Sequence, residues 1–188
     1  MIDCFWLPPL EECTNLAAWK IYEEHIYNIF YSDFIGDTPY YGKKEVRIRH
    51  RPYINGKEES FYHVTCKDFF HDRERNPDIR RCERIRWVRK FIENECDTSK
   101  CDKCEGVLIW EETSIERQCN KRIHILLPEE KYLVVLENRE SFYLLITAHY
   151  LDRYGEVEKK VDKYRKWLEN RKRPASGTQS EAPSTTGR

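Results

Sequence analysis

The sequence contains little glycine and no long apolar run. Only 7 of its 188 residues are glycine, which excludes collagen-like and glycine-rich flexible chains. No segment approaches the ~20 consecutive apolar residues that a membrane-spanning helix needs, so we expect no membrane partner. The first residues also lack the basic and apolar regions of a secretory signal, which favours a cytoplasmic protein.

Aromatic and charged side chains are abundant, and the charge is unevenly placed. Aromatic residues make up 13% of the chain, enough to build a core and to exclude a wholly disordered protein. Residues 1–42 hold seven acidic and one basic side chain, a net charge of −6, whereas residues 43–90 carry 15 basic and 8 acidic ones, a net charge of +7. The basic segment could attract phosphate, could be a solvated face of ion pairs, or could be shielded by residues 1–42.

Hydrophobic periodicity and turn residues predict an α+β domain with a curved antiparallel sheet and with N-terminal, middle and C-terminal helices. The sequence pattern predicts helices at 14–31, 79–93 and 156–170, a hairpin of strands 44–50 and 60–66 around Asn55-Gly56, and strands at 107–110, 122–127, 132–136 and 142–150. The expected organisation is an acidic helical segment at 1–42, the main domain at 43–171 and a disordered tail at 172–188.

The cysteine spacing is compatible with a metal site but does not require one. Cys101-x2-Cys104 has the spacing of half a zinc site, and two further cysteines could complete a set of four thiolates. The alternative is a group of reduced loop cysteines, because no second Cys-x2-Cys pair exists. The candidate ligands for a structural zinc are Cys96, Cys101, Cys104 and Cys119.

Two polar side chains on predicted strands are candidates for catalysis. His63 lies on the predicted return strand of the hairpin, and a histidine near neutral pKa can move a proton. Thr147 lies on the last strand, on the same face as His149 and on the opposite face from Tyr150. If the two strands are neighbours, His63 and Thr147 could cleave RNA without a metal; otherwise His63 is a structural histidine.

The predicted helix at 79–93 is the main basic element. Arg80, Arg81 and Arg84 would form a wall along one side, and Trp87 would either stack on a base or lie in the core. Arg139, in the turn between two strands, is a further candidate for binding phosphate. The other predicted nucleic-acid contacts on this helix are Arg86, Arg89 and Lys90, beside Arg80.

Four stretches resemble one group of nucleases. They are the residues from Gly56 through SFYHVT at 60–65, NPDIRRCERIRW at 76–87, YLVVLENR at 132–139 and LLITAHY at 144–150. They resemble bacterial and phage proteins related to an accessory protein of phage P1, with the RelE-like or barnase–EndoU–colicin–RelE (BECR) nuclease fold. The resemblance covers roughly residues 45–170.

This resemblance implies a metal-independent endoribonuclease of the toxin or phage-conflict type, with no cofactor for catalysis. RNA would be the substrate, and an antitoxin or immunity protein would be a partner. The catalytic residues that the resemblance implies are His63, Arg81, Arg84, Arg139 and Thr147. A non-catalytic nucleic-acid-binding or regulatory module, with a zinc site in one version, and a protein-interaction factor are the alternative functions.

Overall fold

Five α-helices form in the part of the chain that the structure, a computed structural model, describes: residue 4 and residues 6–67, 76–93, 105–113 and 120–172. The first helix follows a 3₁₀ turn capped by Asn15 and continues into a π-helical turn at Ser32–Gly36. No helix within these ranges is long and apolar enough to cross a membrane. The helices are α1 (Trp19–Tyr31), α2 (Glu59–Thr65), α3 (Ile79–Cys82), α4 (Trp87–Glu93) and α5 (Glu156–Lys172).

The described part of the chain also contains eight strands, which form two sheets. The larger sheet has the order β1-β2-β8-β7-β6-β5 and curls into a half-barrel, while β3 and β4 pair separately. The predicted α+β class is confirmed, but the sheet is mixed, because β2 runs parallel to β8. The strands are β1 (Tyr40–Tyr41), β2 (Lys44–Arg47), β3 (Cys66–Lys67), β4 (Asn76–Pro77), β5 (Leu108–Thr113), β6 (Lys121–Leu127), β7 (Tyr132–Asn138) and β8 (Tyr143–Tyr150).

Both faces of the large sheet are covered, which explains why β6 and β7 read as continuous apolar runs. Alternate residues of β7 enter two apolar clusters, Val134 into the larger and Leu133 into the smaller. Rings from α1, α2 and α4 fill the larger cluster, and α5 packs on the smaller one through half-buried side chains. The sheet is therefore packed on both faces, and this packing holds the two ends of β8 in place.

The predicted hairpin is wrong in its second strand. Asn55 and Gly56 do form the predicted tight turn, with φ of 51° and 76°. Residues 59–65, however, form α2 and not a strand, and five of the seven are buried. A short helix that is buried on most sides lacks the one-sided periodicity that distinguishes a helix from a strand in the sequence.

The predicted helix at 79–93 is interrupted between α3 and α4. The Glu83 carbonyl accepts a hydrogen bond from the backbone N–H of Glu11 at 2.8 Å, and the Trp87 amide bonds to the Arg84 carbonyl at 2.9 Å. The N-terminal segment thus takes an acceptor that a continuous helix would use itself. The tight turn also places Arg84 inward, where its residue is 8% exposed, and Trp87 lies in the core.

Candidate active site

A groove of about 420 Å³ opens at the C-terminal end of β8, where β3, α3 and the start of α5 also contribute side chains. It combines basic side chains with an imidazole and a phenol, a set that can hold a phosphate group and transfer protons. The lining residues are Lys67, Arg81, His149, Tyr150, Asp152, Arg153 and Glu156.

Thr147 lies between the backbone of α2 and the ring of His149. The Thr147 hydroxyl donates to the backbone carbonyl of His63 at 3.1 Å, and the hydroxyl oxygen lies 3.5 Å from Nδ1 of His149. Because a hydroxyl has one proton, this arrangement favours the tautomer in which Nδ1 of His149 carries the hydrogen and the Thr147 oxygen accepts it. In that tautomer Nε2 keeps its lone pair, and His149 is one of the residues that line the groove.

Burial keeps the His149 imidazole neutral. Removal from water, together with the positive charges of Arg81 and Lys160, lowers the pKa of His149 to about 4. Asp152 and Asp78 oppose this shift without cancelling it. At neutral pH the side chain is thus uncharged, and its lone pair is available but less basic than that of a free imidazole.

Two cations of the groove are held in place by backbone carbonyls and carboxylates. Arg81 donates through Nη1 to the carbonyl of Cys66 at 2.7 Å, and its Nε lies 3.6 Å from Asp78. Lys67 lies 3.1 Å from Asp78 and also bonds to Asp152, which raises the pKa of Lys67 and lowers that of Asp152. Because the partners fix both groups, little reorganisation is needed when an anion binds.

Tyr150 lies under two guanidinium groups. The guanidinium carbons of Arg80 and Arg84 lie 5.0 and 5.1 Å from its ring centroid. Arg84 is buried, lies over Trp87 and donates to the Arg80 carbonyl at 3.0 Å, so it supports the wall of the groove. Arg80 is exposed and can meet a ligand.

His63 reaches this site through its backbone. Its carbonyl accepts from the Thr147 hydroxyl at 3.1 Å and from Nη1 of Arg81 at the longer distance of 3.5 Å. Its imidazole lies in α2, 3.3 Å from the carboxylate of Glu59 one turn earlier. The structure thus brings four of the five predicted catalytic residues to this groove. Arg81 and Thr147 contribute side chains, His63 contributes its backbone, and Arg84 supports the wall. The imidazole that lines the groove belongs to His149.

Arg139 lies away from this groove. It follows the end of β7, whereas the groove is at the other end of the β7–β8 pair. There Arg139 pairs with the fully buried carboxylate of Glu137. It is therefore placed for a separate site.

The acidic N-terminal segment contacts the basic residues of α4 and the preceding turn. Arg86 pairs with Glu11, and Arg89 pairs with Asp37 at 2.7 Å and with Glu93 at 2.9 Å. The same segment buries Trp6 against a ring of α4. Because it is part of the core, deletion of residues 1–42 would unfold the domain rather than expose a surface. Lys90, the remaining predicted nucleic-acid contact on α4, is half-buried.

The four proposed zinc ligands lie outside the described residues: Cys96, Cys101, Cys104 and Cys119. The zinc site stays a prediction. In the described ranges, no group of three or more His, Cys, Asp or Glu side chains could hold a metal ion. Cys66 and Cys82 are buried small residues of the core.

Sequence reasoning missed four lining residues of the groove: Lys67, Asp152, Arg153 and Glu156. Lys67 follows α2, Asp152 and Arg153 lie in the loop before α5, and Glu156 begins α5. No motif connects these positions, because their proximity arises from the way β3 and this loop meet. His149 could be found from the sequence, because it lies on the same face of the last strand as Thr147. The 3.5 Å contact between the two side chains agrees with that placement.

Comparison of the chain with protein-family models, with curated proteins and with solved structures gives no match.

Proposed function

We propose that this protein is an endoribonuclease, with His149 as the base that activates the ribose 2′-hydroxyl. The observation that carries the proposal is the hydrogen-bond chain from the His63 carbonyl through Thr147 to Nδ1 of His149. It leaves Nε2 as an acceptor in a groove that also contains Arg81 and Lys67. A base and fixed cations are the groups that attack by a 2′-hydroxyl requires.

The reaction requires two proton transfers, one from the 2′-hydroxyl to the protein and one from the protein to the leaving 5′-oxygen. Nε2 of His149 takes the proton of the 2′-hydroxyl while the 2′-oxygen forms a bond to phosphorus. Arg81 and Lys67 stabilise the negative charge that develops on the phosphoryl oxygens. The bond from phosphorus to the 5′-oxygen breaks, which leaves a 2′,3′-cyclic phosphate and a 5′-hydroxyl.

Tyr150 is the group that we assign to protonate the leaving 5′-oxygen. It lines the groove together with His149, and the guanidiniums of Arg80 and Arg84 over its ring would stabilise the phenolate that remains. Transfer of the proton from His149 to Tyr150 through water then restores both groups. DNA lacks the nucleophile and would bind without being cleaved.

The test is cleavage of a single-stranded RNA by the full chain in EDTA, since no step of this mechanism is assigned to a metal ion. We expect cyclic phosphate ends from the wild type and from His63→Ala, and loss of cleavage in His149→Asn. An asparagine keeps an N–H donor near the position of Nδ1 but has no base. Undiminished cleavage by His149→Asn would overturn the assignment.

A non-catalytic RNA-binding module is the second candidate. Tyr154 is fully exposed in the loop that carries Arg153 into the groove, and an exposed ring beside a cation can stack on a base. The same assay separates the two functions. Salt-sensitive RNA binding without cleavage by the wild type would favour the binding module.

A further inference from the structure

A second cavity, of about 580 Å³, lies at the turn between β7 and β8. Its lining is rich in basic and amide side chains and contains one acidic residue. The lining residues are Lys44, Asn120, Lys121, Asn138, Arg139 and Glu140. It shares no lining residue with the groove around His149.

Lys44 brings a positive charge into this cavity. Its Nζ lies 3.3 Å from the Asn138 side-chain oxygen, 3.4 Å from the Arg139 carbonyl and 5.4 Å from the centroid of the Tyr143 ring. All three partners are uncharged, and within the described residues no carboxylate forms an ion pair with Lys44. A half-buried ammonium group with only neutral partners attracts an anion.

A buried carboxylate contacts two of the residues that line this cavity, Asn120 and Arg139. Glu137 is fully buried, pairs with Arg139, and lies 3.6 Å from Nε of Arg122. Asn120 donates to the same carboxylate at 3.1 Å. One carboxylate between two guanidiniums fixes Arg139 and Asn120 at the cavity and still leaves an excess of positive charge.

We propose that this cavity binds the terminal phosphate of a phosphorylated sugar or nucleotide. A terminal phosphate carries close to two negative charges at neutral pH, whereas an internal phosphodiester carries one. Lys44, Lys121 and Arg139 supply three cations to the lining, and Glu140 supplies one negative charge. Arg139 also pairs with Glu137 and Lys121 with Glu111 at 2.8 Å, so Lys44 is the cation with only neutral partners among the described residues. The volume also suits a sugar beside the phosphate, which Asn120 and Asn138 could bond through its hydroxyls.

The two sites are far apart along one strand. Tyr143 and Tyr150 are seven positions apart, which corresponds to about 23 Å at the usual rise of a strand. Binding at the turn is therefore independent of the proposed nuclease chemistry. Each can fail without the other.

The test is titration of the full chain with ribose 5-phosphate, followed by backbone NMR and calorimetry, with sodium chloride at the same ionic strength as reference. We expect saturable shifts of the amide signals of Lys44, Asn138 and Arg139. In Lys44→Gln the dissociation constant should rise about tenfold, since a charge-assisted hydrogen bond is lost. Lys43→Gln, which changes the exposed neighbour outside the cavity, should leave it unchanged.

Lys121→Gln is the second variant, because Lys121 is exposed and its replacement leaves the core intact. It should weaken binding by a smaller factor than Lys44→Gln. The proposal is overturned if ribose 5-phosphate gives no saturable shift up to about 10 mM. Equal weakening by Lys43→Gln and Lys44→Gln would also overturn it, since that result indicates a diffuse charge effect.

An RNA oligonucleotide with a 5′-phosphate, compared with its 5′-hydroxyl counterpart, identifies the source of the phosphate. A preference for the phosphorylated strand that disappears in Lys44→Gln assigns the site to RNA ends. Binding of ribose 5-phosphate without such a preference assigns it to small phosphorylated molecules. His149→Asn should change neither result, which separates this site from the proposed nuclease.

Discussion

The two ends of β8 use burial in opposite ways. At the groove end, burial keeps His149 neutral, and the contact with Thr147 favours the tautomer in which Nε2 carries no hydrogen. At the turn end, burial surrounds the charged Glu137 with two guanidiniums, while Lys44 keeps neutral partners. One end thus presents a lone pair and the other a positive charge. The groove takes its imidazole and phenol from the end of β8, whereas the cavity takes its side chains from β2, β6, β7 and the turn before β8.

The largest expected effect is on RNA cleavage. His149→Asn should lower kcat/KM about 10³-fold, within the range that a positioned general base contributes. Arg139→Gln, at the opposite end of β8, should change it less than threefold. Equal losses in the two variants would show that both ends of β8 serve one site.

Acid should destabilise the fold through its buried histidines. The pKa of His149 is about 4 in the folded protein against 6.5 for the free side chain, so the unfolded chain binds more protons between these values. Stability should therefore fall as the pH drops from about 6.5 to about 4, by roughly 3 kcal/mol for this residue. Urea unfolding at several pH values measures the loss.

His149→Asn is the control for this acid effect. It should remove the contribution of His149 and leave that of His124, a second buried histidine whose pKa burial lowers. A pH profile that is identical in the wild type and in His149→Asn would contradict the assigned burial of His149.

Removal of the buried charge should destabilise the turn end. In Glu137→Gln both Arg122 and Arg139 lose their carboxylate partner, and we expect a loss of about 2 kcal/mol in the free energy of unfolding. The figure is below that of a fully buried pair because both arginines are partly exposed. Glu140→Gln, at the exposed neighbour, should change stability by less than about 0.5 kcal/mol.

Thr147→Val should weaken the groove end without changing its shape. The His63 carbonyl loses a donor and Nδ1 of His149 loses its acceptor, which should cost about 1 kcal/mol of stability. Cleavage should fall about tenfold, because the ring is no longer held in one tautomer. Thr147→Ser keeps the hydroxyl and should restore most of the activity.

The smallest effect is expected for His63→Ala. The substitution removes the contact with Glu59 along α2, which contributes about 0.5 kcal/mol, and it leaves the backbone carbonyl to which Thr147 donates. Cleavage should stay within threefold of the wild type. A loss of cleavage comparable to that of His149→Asn would indicate that the imidazole of His63 takes part in the reaction.

The four strands β5–β8 could be predicted from the sequence, because their β-branched and aromatic runs are long and end at clear turns. Helix α2 could not, because Phe61, Tyr62 and Val64 are buried in the larger cluster and their residue types favour a strand. Tertiary contacts here override local preference.

The site was predictable only where its residues share one element. Thr147 and His149 lie on one strand, and their spacing of two residues predicts a common face. Lys67 and Asp152 meet across 85 positions, and no local pattern encodes such a contact. The inward position of Arg84 depends on the break that Glu11 makes between α3 and α4, which is also a long-range contact.

The most direct test of the account is nitrogen NMR of the His149 ring, assigned by comparison with His149→Asn. At pH 7 we expect a neutral ring with a protonated Nδ1 and a bare Nε2, and a titration midpoint at about 4. Binding of a dinucleotide that lacks the 2′-hydroxyl should raise this midpoint, because its phosphate stabilises the imidazolium. A neutral ring with its hydrogen on Nε2 would contradict the proposed role of His149 as the base. A titration midpoint near 6.5 that does not change when the dinucleotide is added would also contradict it.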